Sequence, residues 1–284
     1  MKYCITQIII CLIICISSSC RSVVYQPTYA VCGKLSQYPA IKEAGYDFLE
    51  PSVGDFLMPG KNDSAFLIHL AEQKRLNAKI ISCTIFLPGS LKVTGPETRH
   101  AEILVWAETT FRRAQQAGIP YIVFGSGGAR RVPEGFSKQE ATQQFISLCK
   151  QLAPMAEKYN VVVLIEPLNI GETNLINSLR EGAEIVDAVA HPNIRLLCDI
   201  FHMMRENEPV SDIVKYRKYI RHCHIAEKET RSAPGIKGDD FTPYFKALKQ
   251  MKYKGCLSIE GKWGNFEADL APALHYMQQQ FLSL

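Results

Sequence analysis

The chain has 284 residues, 47% of them hydrophobic, with 32 basic and 28 acidic side chains and a formal net charge of +4. That length supports a sizeable core, either one α/β barrel or two small domains. The charge is mild and the basic residues are scattered, with no run beyond pairs such as Arg112-Arg113 and Arg130-Arg131, which excludes the basic face a nucleic-acid binder needs.

The first twenty residues stand apart. Met1-Lys2 is followed by an apolar segment from Ile8 to Ile16 and then Ser17-Ser18-Ser19-Cys20. A positive start, an apolar stretch and a small-residue exit describe a secretory leader, and the stretch is short for a bilayer span. Cys20 after serines resembles a bacterial lipoprotein cleavage box, although Ser17 stands where leucine is usual. The expectation is a signal peptide of lipoprotein type over residues 1–20, with an ordinary signal peptide or an uncleaved anchor as the alternatives. The protein would then be exported to the envelope, periplasmic or lipid-anchored, with a mature domain over 21–284. Of ten cysteines, Cys4, Cys11, Cys15 and Cys20 fall in the leader. The other six have no C-x-x-C spacing and mostly lie in apolar runs, as buried free thiols do.

From residue 28 apolar runs alternate with amphipathic stretches. The first strand is Tyr29 to Cys32 and the first helix Leu35 to Ala44; the second strand, Tyr46 to Glu50, ends on a carboxylate. Asp63 is the predicted N-cap of a helix through Leu76. Lys79 to Phe86 is the third strand, and a helix from Pro96-Glu97 to Ala117 closes on Gly118. Tyr121 to Phe124 is the fourth strand, followed by Gly125-Ser126-Gly127-Gly128 and Arg130-Arg131. That glycine stretch could cradle an anion at a helix start, but it fits no phosphate fingerprint and reads better as a plain turn. Ser137 with Glu140 forms a capping-box pattern for a helix to Lys158. Strand five is the apolar run from Val161 that ends in Glu166-Pro167. Ser178 to Ala190, Val210 to Tyr219, Asp240 to Met251 and Glu267 to Leu282 read as helices. Between them lie Ile194 to Asp199, Ile220 to His224 and Cys256 to Glu260, the last three strands.

Eight strand–helix units without a linker imply parallel strands joined by crossovers, and at this length a closed (β/α)8 barrel. The alternative, an open doubly wound sheet, would offer a glycine fingerprint after its first strand, where none stands. In such a barrel the active site lies at the C-terminal strand ends. Four of those ends carry Glu166, Asp199, His224 and Glu260. Alternation along each strand then puts Leu164, Leu197, His222 and Ser258 in the inward layer below, with Cys198 and Cys223 facing the helices.

A buried strand that ends in a charge is costly unless the charge binds something. Three carboxylates and one imidazole make a hard, oxygen-rich donor set that suits Mn²⁺, with Mg²⁺ or Co²⁺ as alternatives. Without a cation the acids would repel one another. A cation there could chelate two neighbouring oxygens of a hydroxy-ketone and stabilise the ene-diolate formed on proton abstraction, with one glutamate as base and another as acid. Glu50, at the end of the second strand, is placed to touch substrate.

The runs IEPLNIGET, CDIFHM, HCHIAE and LSIEG resemble the sugar isomerase/epimerase superfamily of xylose isomerase-like barrels, most of all its ketose 3-epimerase branch. The resemblance covers essentially the whole mature chain. It implies a sugar isomerase or epimerase in which Glu166, Asp199, His224 and Glu260 hold the metal, and Glu166 and Glu260 double as the acid/base pair. It further implies that Glu172, His202 and Arg231 bind substrate. Arg231 stands about one residue later than the family pattern, and Gly261-Lys262-Trp263 replaces the proline and aromatic residue that often follow the last glutamate. Those departures leave the substrate open, and with it a lyase or dehydratase acting on a keto-sugar. The expected partner is a small carbohydrate, with no nucleic acid, no membrane contact beyond an N-terminal lipid anchor, and self-association left open. An endonuclease of this superfamily would need more histidines and a basic face. A sugar-binding protein without turnover would have no need of both Glu166 and Glu260.

Overall fold

A computed structural model describes residues 27–284; the expected leader, with its four cysteines, lies outside the described residues. Eight parallel strands form the sheet, in the order β2-β1-β8-β7-β6-β5-β4-β3. They are β1 Thr28–Cys32, β2 Phe48–Glu50, β3 Ser82–Cys83, β4 Tyr121–Phe124, β5 Val162–Ile165, β6 Ile194–Asp199, β7 Ile220–Ile225 and β8 Cys256–Ile259. β1 pairs with both β2 and β8, and the seam between β2 and β3 is bridged at Leu49–Ile80 and Ser52–Thr84. The result is a nearly closed (β/α)8 barrel, as the alternation of elements predicts. Between the strands run α1 Tyr38–Glu43, α2 Asp63–Leu76, α3 His100–Ala117, α4 Gly127–Arg130, α5 Lys138–Lys158, α6 Leu179–Val189, α7 Ile200–Arg205, α8 Ser211–Lys215, α9 Thr242–Gln250 and α10 Phe266–Leu282.

Local chemistry sets most boundaries. Ser137 and Ser178 accept hydrogen bonds from the amides of Glu140 and Glu181 and so start α5 and α6. Gly118 ends α3 in the left-handed conformation, at φ +70°. Three expectations need correction. Asn62, not Asp63, caps α2, because its Oδ1 accepts from the Ala65 amide; Asp63 points away to meet Arg112 and Arg113. The third strand is two residues long rather than eight, since the chain turns out of the sheet at Ile85, whose φ is +54°. The expected helix from Val210 to Tyr219 shortens to α8, and α7 fills the stretch before it.

Two shells share the packing. Most apolar side chains lie between sheet and helices. Inside the barrel Val123, Leu164 and Leu197 form a separate small cluster. Leu164 and Leu197 therefore face inward, and Cys198 and Cys223 belong to the outer shell, as the alternation requires. All six cysteines among the described residues are free thiols.

Candidate active site

The C-terminal ends of β5, β6, β7 and β8 bring Glu166, Asp199, His224 and Glu260 together. One donor atom from each lies within 4.8 Å of the others. Local structure aims each one. Asp199 is the last residue of β6 and the N-cap of α7: its Oδ1 accepts from the Phe201 amide at 2.7 Å, which leaves Oδ2 for the site. Glu166 follows β5, and its backbone carbonyl receives the buried guanidinium of Arg130 at 2.7 Å. Arg130 also reaches the carbonyl of Phe124 at 3.0 Å, so it stitches the ends of β4 and β5 together. Gly125 touches the same carboxylate: a Cβ there would lie 2.1 Å from Glu166 Oε2. The glycine stretch is thus a clearance for Glu166 that runs into the single turn of α4, and Arg130 is occupied by carbonyls rather than open to an anion.

Electrostatics follow from burial. Glu166 is 4% exposed, and burial, with Glu260 and Asp199 nearby, pushes its pKa up to about 7 against the opposing pull of His224. His224 is fully buried; burial alone would lower its pKa, yet Glu50 and Glu166 hold it well above the ordinary value. Glu166 Oε1 and His224 Nδ1 lie 3.3 Å apart, and both are buried without a hydrogen-bond partner. Unsatisfied buried groups of this kind are rare unless something binds them. Three hard carboxylates and an imidazole, two of them orphaned toward a common point, fit a divalent cation.

The residues expected at the substrate divide. Arg231 bridges two acids, with Nη1 2.8 Å from Glu172 Oε1 and Nη2 hydrogen-bonded to Glu260 Oε2. Its guanidinium lies over the Phe201 ring, 4.7 Å from the centroid. Burial would lower its pKa, but Glu260, Asp199 and Glu172 raise it above the ordinary value. His202 accepts the Asn169 amide on Nδ1 at 3.0 Å. Burial drives its pKa down to about 3, so the ring is neutral and its proton sits on Nε2. That Nε2 is buried, has no hydrogen-bond partner and stands 3.5 Å from Asp199 Oδ2. Glu172, Arg231 and Glu260 line the same cavity as Glu166, of about 320 Å³, walled by Ile85, Leu87 and the glycine stretch.

Two of the residues expected at the substrate, His202 and Glu50, do not line this cavity. Glu50 sits a layer lower, with its side chain fully buried. Ser82, Cys32, His222 and His224 surround both of its oxygens. Burial would raise its pKa, but His222 and His224 bring it well below the carboxylate range. Arg130, Asn169 and Gly125 carry no local sequence signal for their part in building the site, since each acts on a group that only the fold brings near. A larger cavity, about 680 Å³, opens elsewhere between Lys34, Phe56, Ile68 and Arg75, away from the carboxylates.

Comparisons with known proteins agree with this fold. Residues 39–280 match the family model described as xylose isomerase-like TIM barrel. A probable ketose 3-epimerase of Synechocystis sp. is 28% identical over 200 residues, covering 68% of this chain and 67% of that one. L-ribulose 3-epimerase of Methylomonas sp. is 25% identical over 251 residues, covering 84% and 82%. Among solved structures, apo 3-keto-D-glucoside 4-epimerase from E. coli superposes with a TM-score of 0.76 at 19% identity, over 89% of this chain and all of that one. With parallel strands in barrel order and a family match across nearly all of the described residues, the chain belongs to the xylose isomerase-like TIM barrel family.

Proposed function

We propose that the protein is a sugar epimerase or isomerase that moves a proton at the carbon beside a ketone. The observation that carries this reading is the convergence of Glu166, Asp199, His224 and Glu260 within 4.8 Å, with Glu166 Oε1 and His224 Nδ1 unsatisfied. These four would hold a divalent cation, Mn²⁺ first and Mg²⁺ or Co²⁺ as alternatives, whose charge would draw electron density from the oxygens of the hydroxy-ketone as its carbon loses a proton.

The remaining work falls to the chain. Of Glu166 and Glu260, one removes the proton from carbon to leave the ene-diolate and the other delivers a proton to the opposite face. Glu166 is placed for that exchange by geometry: its carboxylate lines the cavity, with Oε1 buried and without a hydrogen-bond partner. Arg231 holds Glu260 and Glu172 in place, Glu172 orients the substrate hydroxyls from the cavity wall, and His202 stands behind Asp199. The cavity is lined by three acids and one cation, Arg231, already engaged by two of them. That balance favours a neutral ketose or keto-glycoside over a sugar phosphate. The leader-like residues 1–20 support the same choice, because an exported protein meets free sugars in the envelope.

Incubation with ketoses in D₂O tests the reading. Deuterium should appear in the epimerised product at the reacting carbon, and EDTA should abolish turnover. An unsaturated product would assign the same acid/base pair to a lyase, and product isomer free of deuterium would remove proton exchange from the mechanism. Cell fractionation, with palmitate labelling at Cys20, checks export separately.

A further inference from the structure

His224 has its two ring nitrogens in different surroundings. Nδ1 faces the site, 3.3 Å from Glu166 Oε1 and 3.8 Å from Glu260 Oε2. Nε2 faces the barrel interior, 2.9 Å from Glu50 Oε2. An ionised carboxylate only accepts hydrogen bonds, so a hydrogen belongs on Nε2, and a cation that takes the place of the Nδ1 proton would meet the Nδ1 lone pair at the four-ligand point.

We propose that Glu50 is the positioning residue of this site: it fixes the tautomer and ring plane of His224 and thereby sets the affinity for the cation. This role rests on the metal reading given above.

The carboxylate is built to hold still. Ser82 Oγ donates to Oε1 at 2.5 Å, and Cys32 Sγ donates to Oε2 at 3.2 Å. His222, also fully buried, places its Nε2 against Oε1, while His224 takes Oε2. Four side chains from β1, β3 and β7 or their edges thus close on one anion at the end of β2. Burying an anion that touches neither solvent nor substrate is costly, and a structural role alone would be met by apolar packing of the kind that fills the neighbouring strands. Placed behind a ligating imidazole, the anion makes Nδ1 a stronger donor and prevents the ring from turning.

The test titrates Mn²⁺ into metal-free protein and follows free Mn²⁺ by electron paramagnetic resonance, with circular dichroism to check folding. Glu50→Gln keeps an acceptor but loses the charge, and should weaken Mn²⁺ binding by about 10–100-fold. Its turnover should recover at saturating Mn²⁺, which a collapsed site would not allow. Cys32→Ser perturbs the same carboxylate without touching His224, and should bind Mn²⁺ as the wild type does. Glu50→Asp keeps the charge and shortens the reach; it should also bind weakly, and it covers a glutamine variant that fails to fold. In Mg²⁺-loaded wild type, the His224 Nε2 proton should resonate downfield and exchange slowly with solvent.

A folded Glu50 variant that binds Mn²⁺ as tightly as wild type overturns the proposal. So does a His224 Nε2 proton that exchanges freely. A second bound equivalent of cation that disappears in Cys32→Ser also overturns it, because Cys32, Glu50 and His224 would then themselves be ligands. Wild type that binds no divalent cation overturns the metal reading itself, a result distinct from a wild type that binds and Glu50 variants that bind equally well.

Discussion

At the scale of single residues the site is defined by what cannot move. Glu166 is held from behind by Arg130 on its carbonyl, and Gly125 leaves its carboxylate room. A methyl group at position 125 would need the space where Glu166 Oε2 now lies, 2.1 Å away. Gly125→Ala should therefore displace a ligand and cut turnover by at least about 100-fold, the scale of a lost catalytic group, while the circular dichroism spectrum stays that of a folded barrel. Wild-type turnover in that variant would show that Glu166 does not act from this position. The four candidate ligands were legible in the sequence because each stands at the end of an apolar run. The side chains that aim them were not, because Arg130 acts on carbonyls of other strands and Glu50 on a histidine 174 positions away.

At the scale of elements, the loops between β6 and β7 do more than connect. α7 begins on Asp199 and sets His202 against it at 3.5 Å, and Glu208, just beyond it, accepts the Leu179 amide at 2.7 Å at the start of α6. Burial raises the pKa of Glu208 to about 7. A carboxyl whose folded pKa exceeds its unfolded value stabilises the fold fully below the unfolded pKa and loses that advantage as pH rises through the folded one. Glu208→Gln keeps an acceptor for Leu179 and removes the ionisation. It should match wild type below about pH 4.5 and gain stability between about pH 4.5 and 7, reaching on the order of 2 kcal/mol at pH 8. Urea melts at pH 5 and pH 8 measure the difference; an equal effect at both would show that Glu208 is not buried as described. The sequence pattern placed eight strands and most helices because apolar periodicity and caps are local signals. It missed α7 because six residues give too little periodicity to separate a helix from a strand end.

For the whole molecule, the strands are staves that deliver side chains to one mouth, and the proposed cation binding would be a property of that assembly. No single strand could gather three carboxylates and an imidazole within 4.8 Å. A cation that binds the folded barrel and not the unfolded chain stabilises it by mass action. Mn²⁺ at about 100 times its dissociation constant should add about 2.7 kcal/mol, seen as a rise in Tm that EDTA reverses. Asp199→Asn, which keeps the cap of α7 and loses the charge, should lose most of that rise. An undiminished rise would place the cation elsewhere.

The order of the chain by itself determined the class of fold and the four residues that converge at the barrel mouth. Alternating apolar runs can close only as parallel strands with crossovers, and a charge that ends a buried strand must find a partner. Only the folded barrel decided which of the remaining polar residues serve that partner directly. Glu50 and Glu172 are both acids expected at the substrate, yet one lies sealed beneath His224 and the other opens onto the cavity with Arg231. Depth below the barrel mouth separates them. It depends on how far each strand runs before it leaves the sheet and on which residues of neighbouring strands stand level with it. Those are contacts between positions far apart in sequence, which no local pattern encodes.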